Sequence, residues 1–309
     1  MITGTLKSQI DSVWDDFWSG GISNPLEVME QLTYLLFIRA LDEEQTRAEN
    51  KAARTGQPID NPVFPEGTDP KGQPYENLRW SRFKNLAPAE MYKTVDEHVF
   101  PFLHEIAEDT THAQHMAAAR LTIPTPALLQ KAVDGLDAVP MEDRDTKGDL
   151  YEYMLSKIAS AGQNGQFRTP RHLIELMVHM IAPKPGQTIC DPAAGTAGFL
   201  VSCVEYLEEN HQEIWRDDDL QKHFETDAFT GFDFDETMLR IGAMNLLLHD
   251  VTSPSIHYQD TLGNNFNERF PREADGYFDV ILANPPFKGS IDAENIHPNL
   301  RSVVKTTKT

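Results

Sequence analysis

From Leu26 onward, apolar residues return every three or four positions. Met29, Leu32, Leu36 and Ala40 share one helical face, with Leu35 and Ile38 beside them, before "RALDEEQTRAEN" turns polar. Just ahead, Asn24-Pro25-Leu26-Glu27 supplies a capping side chain, a proline at the first helical position and a carboxylate three residues after the cap, so the spacing predicts a helix that starts there. Its apolar face is wide enough to require helical neighbours in a bundle. Further helices are predicted from Pro88 to about Glu108 and from Pro126 to about Leu136. Residues 55–80 are rich in Gly, Pro, Asn and Asp, show no sustained period and read as a loop.

The second half changes period. After a helix predicted around Leu150 to Ala159, short apolar runs alternate with longer helical patterns: "QTICD" and a helix through Val204, "AFTGFDF" and a helix through Leu248, then "SIHYQD", and finally "FDVILANPP". Strand and helix in alternation imply right-handed crossovers and a parallel sheet. The polar link "VPMEDRDTKGD", Val139 to Asp149, separates the two patterns. The expected fold class is therefore α/β, with a helical domain over 1–145 followed by a doubly wound, mostly parallel domain over 146–309. Ligands of such sheets bind at the carboxyl ends of the strands.

Composition changes this picture little. The 309 residues are 40 % hydrophobic and 24 % charged, and no apolar run is long enough to span a bilayer. The amphipathic, acidic start "MITGTLKSQIDSVWDDFWSG" is unlike a signal peptide, so a cytoplasmic location is expected. Cys190 and Cys203, the two cysteines, have no partner at metal-ligand spacing and read as core residues. The net charge of −21 argues against a free-standing nucleic-acid binder, because phosphate is met by basic surface; it leaves room for a subunit that relies on a basic partner.

Candidate chemistry gathers at the predicted strand ends. "DPAAGTAGFL" closes the first strand with Gly195 and Gly198, which allow a tight turn and close ligand approach, and the next helix offers its N-terminal N–H groups to a nucleotide-like cofactor. A plain strand-to-helix turn accounts for the same residues, and Ala197 stands where a dinucleotide fingerprint has glycine. Asp233 closes the second strand, placed to accept from ribose hydroxyls or to cap a helix, and Asp260 closes the third in the same way. In "YFDVILANPPFKGS" the fourth strand stops at Asn284, Pro285, Pro286 and Phe287. The prolines make a stiff arm without backbone donors. Two oxygens there, the Asn284 side chain and the Pro285 carbonyl, suit the two N–H bonds of an exocyclic amine, and Phe287 suits stacking on a flat ring; the plainer reading is a strand with a proline stop. Thr169-Pro170 in "GQFRTPRHLIELMVHM" reads as a cap and first turn. His112 and His115 lack metalloprotease spacing, and "WRDDDLQKHFETD", Trp215 to Asp227, reads as a solvated helix end.

Taken in order, "GQFRTPR", "DPAAGTAGFL", "GFDFDETMLRIGAMNLLLHD", "QDTL" and "ANPPF" resemble the S-adenosylmethionine-dependent amino-methyltransferases, most closely the modification subunit of type I restriction-modification systems. Asn-Pro-Pro-aromatic alone is shared with methyltransferases acting on cytosine, RNA or protein glutamine. The resemblance implies a Rossmann-like methyltransferase domain that moves a methyl group from S-adenosylmethionine to N6 of adenine in DNA. It implies that Phe167, Thr169 and the turn Asp191, Ala193, Gly195 and Gly198 hold the methionine end, Asp233 the ribose, Asp260 the cofactor's adenine, and Asn284 to Phe287 the target base. No metal is implied. The partners implied are DNA, a specificity subunit that reads the target sequence and a motor-bearing restriction subunit. Arg168 stands where the family often has an aromatic. The family's pattern continues past "NPPFKGSIDAENIHPNLRSVVKTTKT" into more sheet, so the expectation is an N-terminal portion, inactive in isolation. A cofactor-binding or assembly module, or methylation of RNA or protein, are the alternatives.

Overall fold

The computed structural model describes residues 4–59, 61–109, 116, 119–140, 144–160, 169–249, 251, 253–285 and 295–301. Two compact units divide the chain after Ile158.

The first unit is helical: α1 (Gly4–Ser19), α2 (Pro25–Thr55), α3 (Trp80–Phe83), α4 (Pro88–Thr94), α5 (Phe100–Asp109), α6 (Pro126–Asp137) and α7 (Arg144–Ser160). α2 starts as its sequence predicts, with the Leu26 N–H donating to Asn24 Oδ1 at 3.1 Å. It ends on Gly56, whose φ of 69° lies in the left-handed region that favours glycine. Met29, Leu32, Leu35, Leu36 and Ile38 are fully buried along it. α4 runs into α5 through one π turn, Val95–Val99, so Pro88 to Asp109 is a single bulged helix. α1 and α6 pack through Gly135, where an added Cβ would lie 2.2 Å from Val13 Cγ2. The loop between α2 and α3 is tied down by buried Arg79, which meets Asp42 at 2.5 Å and Glu49 at 2.8 Å. α7 begins at Arg144, inside the polar stretch expected to be a link; "RDTKGD" holds no proline, and its one glycine weakens a helix without ending it. Its Tyr151 is buried, 2.9 Å from Thr33 of α2.

The second unit runs α8 (Arg171–Ile181), β1 (Ile189–Asp191), α9 (Gly198–Asn210), α10 (Asp218–Thr226), β2 (Phe229–Asp233), α11 (Glu236–Leu248), β3 (Ser255–Tyr258), α12 (Phe266–Arg269), β4 (Val280–Ile281) and α13 (Pro298–Arg301). The strands form one parallel sheet in the order β3-β2-β1-β4. The register pairs Ile189 with Phe229 on one side and with Val280 on the other. The core fills with Val178 of α8, Leu200 and Val204 of α9, Leu246 of α11 and the strand residues Ile189 and Phe229. The run expected as a solvated helix end is instead a short 3-10 turn and then α10, a capped crossover helix: Asp217 accepts from the N–H groups of Asp219 and Leu220, and Phe224 is buried.

Candidate functional site

The chain steps outward from β1 to β2 to β3 and then returns to lay β4 on the other flank of β1. That reversal falls between β1 and β4, and sheets of this kind take their ligands beyond the carboxyl ends of the strands at such a point. Asp191 ends β1, and Asn284 lies three residues past β4. The Leu282 N–H donates to Cys190 O at 2.9 Å, so the two ends stay side by side.

The turn after β1 is built around a buried acid. Asp191 is 1 % exposed, and its Oδ1 accepts from the Ala193 N–H at 3.0 Å. Burial pushes its carboxyl up to about 7; the Ala193 N–H works against the rise and the negative charge of Asp233 adds to it. Gly195 has φ +52°, with open space where a Cβ would stand. Ala197, just before α9, also lies in the left-handed region at φ 59°, a conformation that favours glycine. Gly198 opens α9, its Cα face closed by Ile174 Cδ1 at 3.3 Å from an added Cβ.

Asp233 reaches back across the sheet to this turn. Its Oδ2 accepts from the Gly195 N–H at 2.8 Å and its Oδ1 from the Asp235 N–H at 2.9 Å. The carboxylate thus fixes the glycine turn, with oxygen lone pairs to spare. Asp235, two residues on, caps α11. Asp260 is exposed, and its Oδ1 accepts from the Leu262 N–H at 2.9 Å. The Gln259 N–H bonds Asp233 O, and Thr261 Oγ1 donates to Pro192 O at 3.1 Å, which draws the β3 end toward the β1 turn. Asp191, Ala193, Gly195, Gly198, Asp233 and Asp260 therefore share one end of the sheet. Three apolar side chains beside them, Phe234, Tyr258 and Leu262, stand 65 %, 52 % and 40 % exposed. The sequence reading passed over Phe234, although an aromatic directly after a strand-ending aspartate was a usable signal.

On the other flank, Asn284 is half-buried and Pro285 exposed. Asn284 Nδ2 donates to Thr169 Oγ1 at 2.8 Å. Phe167, Pro286 and Phe287, with Arg168, His112 and His115, lie outside the described residues.

α11 supports the glycine turn from behind. Asn245 Nδ2 donates to Thr196 O at 2.9 Å, and an added Cβ on Gly242 would meet Gly195 O at 3.0 Å. His249 Nδ1 donates to Asn245 O at 2.7 Å; its other ring nitrogen is 3.6 Å from Glu205, which bonds Arg171 at 2.7 Å. Neither Asn245 nor Gly242 was singled out from sequence, because the contacts they make join segments about fifty residues apart. Burial pushes the Cys190 and Cys203 thiols up to about 12, so both stay neutral core groups. Among the described residues no cluster of His, Cys, Asp and Glu is arranged to hold a metal ion, and no helix is long and apolar enough to cross a membrane.

A parallel sheet with a strand reversal between β1 and β4, an acid-anchored glycine turn and a helical region ahead of it define a methyltransferase-like α/β domain preceded by a helical domain. The chain belongs to the N-6 DNA Methylase family, whose profile matches residues 142–308, and the HsdM N-terminal domain profile matches residues 6–136. The type I restriction enzyme StySJI methylase subunit of Salmonella typhimurium is 34 % identical over 313 residues, covering 96 % of this chain and 52 % of its own length. The EcoEI methylase subunit of Escherichia coli is 26 % identical, covering 100 % of this chain and 60 % of its own. The chain thus spans about half to three-fifths of these relatives. In fold it is similar to a modification subunit of a putative type I restriction enzyme from Vibrio vulnificus, with TM-score 0.72 at 22 % identity over 93 % of this chain and 61 % of that one. A type I methyltransferase subunit from Streptococcus thermophilus gives TM-score 0.59 at 16 % identity, covering 92 % and 63 %.

Proposed function

We propose that this chain is the catalytic part of a type I modification subunit that transfers a methyl group from S-adenosylmethionine to N6 of adenine in DNA. One observation carries the reading: Asn284 stands at the strand reversal, three residues past β4, the strand next to the one that ends in the glycine turn, in a chain of the N-6 DNA Methylase family. The residues present fit the cofactor. The open space over Gly195 admits close approach, Asp233 keeps acceptor capacity for ribose hydroxyls, and Phe234 offers a flat apolar face to an adenine ring. When bound, S-adenosylmethionine supplies a methyl group activated on a sulfonium.

The chain's own part is to hold the amine. Adenine must leave the duplex, since its amine is paired in the stack. Asn284 Oδ1 and Pro285 O would then accept the two N–H bonds and favour the nucleophilic form of the amine; as the N–C bond forms the sulfonium S–C bond breaks, and the amine gives up one proton to solvent. Phe287 would stack on the flipped base, and Phe167 would border the methionine end. The net charge of −21 suits a subunit whose DNA is held in part by a basic partner, such as a specificity subunit, with a restriction subunit joining the same complex. The expected boundary, 1–145 for the helical domain and 146–309 for the catalytic one, lies near the start of the N-6 DNA Methylase match at residue 142, but the compact units divide after Ile158, so most of α7 packs with the helical unit. The test is transfer of labelled methyl to DNA by the assembled modification complex. Asn284→Ala should lower the rate by about a hundredfold or more, as loss of an oxyanion-type contact does elsewhere. Undiminished transfer would refute the assignment.

A further inference from the structure

A buried carboxamide holds the segment that closes β3. Gln259 is 2 % exposed, between exposed Tyr258 and exposed Asp260. Arg269 Nη1 donates to its Oε1 at 2.6 Å, and its Nε2 donates to Asp260 O at 2.6 Å and to Asn265 Oδ1 at 3.0 Å. A guanidinium only donates and a backbone carbonyl only accepts, so both ends of this carboxamide are assigned by groups that cannot exchange roles. Arg269 is itself anchored. It ends α12, whose Phe266, with Phe270 just after it, packs on Phe232 of β2 at ring-centroid distances of 5.2 and 5.0 Å.

The consequence falls on Asp260. Its carbonyl accepts twice, from Gln259 Nε2 and from the Gly263 N–H at 3.0 Å, and its Oδ1 accepts from the Leu262 N–H at 2.9 Å. Backbone and carboxylate are thus pinned in one tight turn, closed so far that a Cβ added to Gly263 would lie 3.0 Å from Asp260 O. Oδ2 keeps its lone pairs for an outside donor, on an exposed side chain at the strand end where Phe234 and Leu262 are also exposed. Adenine offers such a donor in its exocyclic amine. We propose that Gln259 is a positioning residue that sets the Asp260 turn so that the carboxylate accepts from the amine of the cofactor's adenine, which makes the site select adenine over a base with a carbonyl in that place. This rests on the cofactor reading given above, with Asp260 at the adenine end as the family resemblance implies.

The test is calorimetry on the assembled modification complex with two ligands, S-adenosylhomocysteine and S-inosylhomocysteine, in which a carbonyl oxygen replaces the adenine amine. Wild type should bind the first roughly ten- to a hundredfold more tightly, the worth of a hydrogen bond to a charged group. Asp260→Ala should bring that ratio near one. Gln259→Glu keeps the shape and the bond to Arg269 but sets an acceptor against Asp260 O, whereas Gln259→Met removes both bonds. Each should lower the ratio by about fivefold or more through weaker binding of S-adenosylhomocysteine, and binding of the inosyl analogue at wild-type strength shows that the variant folds. A wild-type ratio in both Gln259 variants, with Asp260→Ala near one, would overturn this proposal alone. Equal weakening of both ligands would overturn it in favour of a purely structural role. A wild-type ratio in Asp260→Ala would remove the Asp260 contact and this proposal with it, and no binding of S-adenosylhomocysteine by the wild-type complex would refute the cofactor reading itself.

Discussion

Replacing Asp191 by Asn should make the methyltransferase-like unit more stable at alkaline pH and no more stable in acid. Asp191 is 1 % exposed and its carboxyl sits at about 7 in the folded chain, against the ordinary 3.8, chiefly because burial penalises the charge. The sign follows from proton counting. Below about pH 4 the group is protonated whether the chain is folded or not, and it has no effect on stability. Between about pH 4 and 7 the unfolded chain has released its proton and the folded chain keeps it, so each pH unit costs the fold about 1.4 kcal/mol. Above about pH 7 both forms are ionised, and the penalty levels off near 4 kcal/mol as an upper, order-of-magnitude figure. Asn keeps an oxygen to accept from the Ala193 N–H and never ionises. The difference in stability between variant and wild type should therefore grow from about zero at pH 4 to a few kcal/mol by pH 8. Hydrogen exchange at the amides of β1 and β2 along a urea series reports this unit separately from the helical one. Parallel curves for the two proteins from pH 4 to pH 9 would refute the account of a buried, partly protonated acid.

Two further expectations concern packing. Gly242→Ala puts a Cβ 3.0 Å from Gly195 O and 3.4 Å from Ala197, pressing on the glycine turn; S-adenosylhomocysteine affinity should fall about tenfold, whereas Gly135→Ala, a worse clash at 2.2 Å in the helical unit, should destabilise that unit and leave the affinity unchanged. Arg79→Met strands Asp42, whose side chain is 7 % exposed, and should cost the helical unit about 3–5 kcal/mol in urea unfolding; a loss below about 1 kcal/mol would mean the cluster behaves as a surface ion pair.

The parts of this molecule that were legible in sequence are those set by local chemistry. Asn24 and Pro25 begin α2 because capping and a fixed φ act within four residues, and the acids that close β1 and β2 end short apolar runs. Lengths were less legible. β4 covers only Val280–Ile281, because its one neighbour among the described residues, β1, is itself three residues long. Thr169 looked like a cap because Thr-Pro is a good cap locally; a partner 115 residues away took its hydroxyl. Arg79, Gly242 and Asn245 gave no signal because their meaning lies in segments brought together by the fold. Phe234 was readable from its place after Asp233 and was missed.

The position of β1 also has a consequence in time. Its first partner, β2, follows forty residues later, with Ile189 opposite Phe229, but its second, β4, arrives only with Val280, 91 residues on. At ribosomal speeds of about 5–20 residues per second, one flank of β1 waits roughly 5–20 s for its mate. During that interval a growing chain holds an unsatisfied row of N–H and C=O groups next to the glycine turn, and non-local parallel pairing of this kind is slow to form in any case. Thr188 is the latch that ends the wait: its N–H and hydroxyl take Asp279 and Tyr277 O at 2.7–3.1 Å. The strand that follows these bonds leads, three residues past β4, to Asn284 and its 2.8 Å bond to Thr169, so sealing the sheet also brings those two residues together.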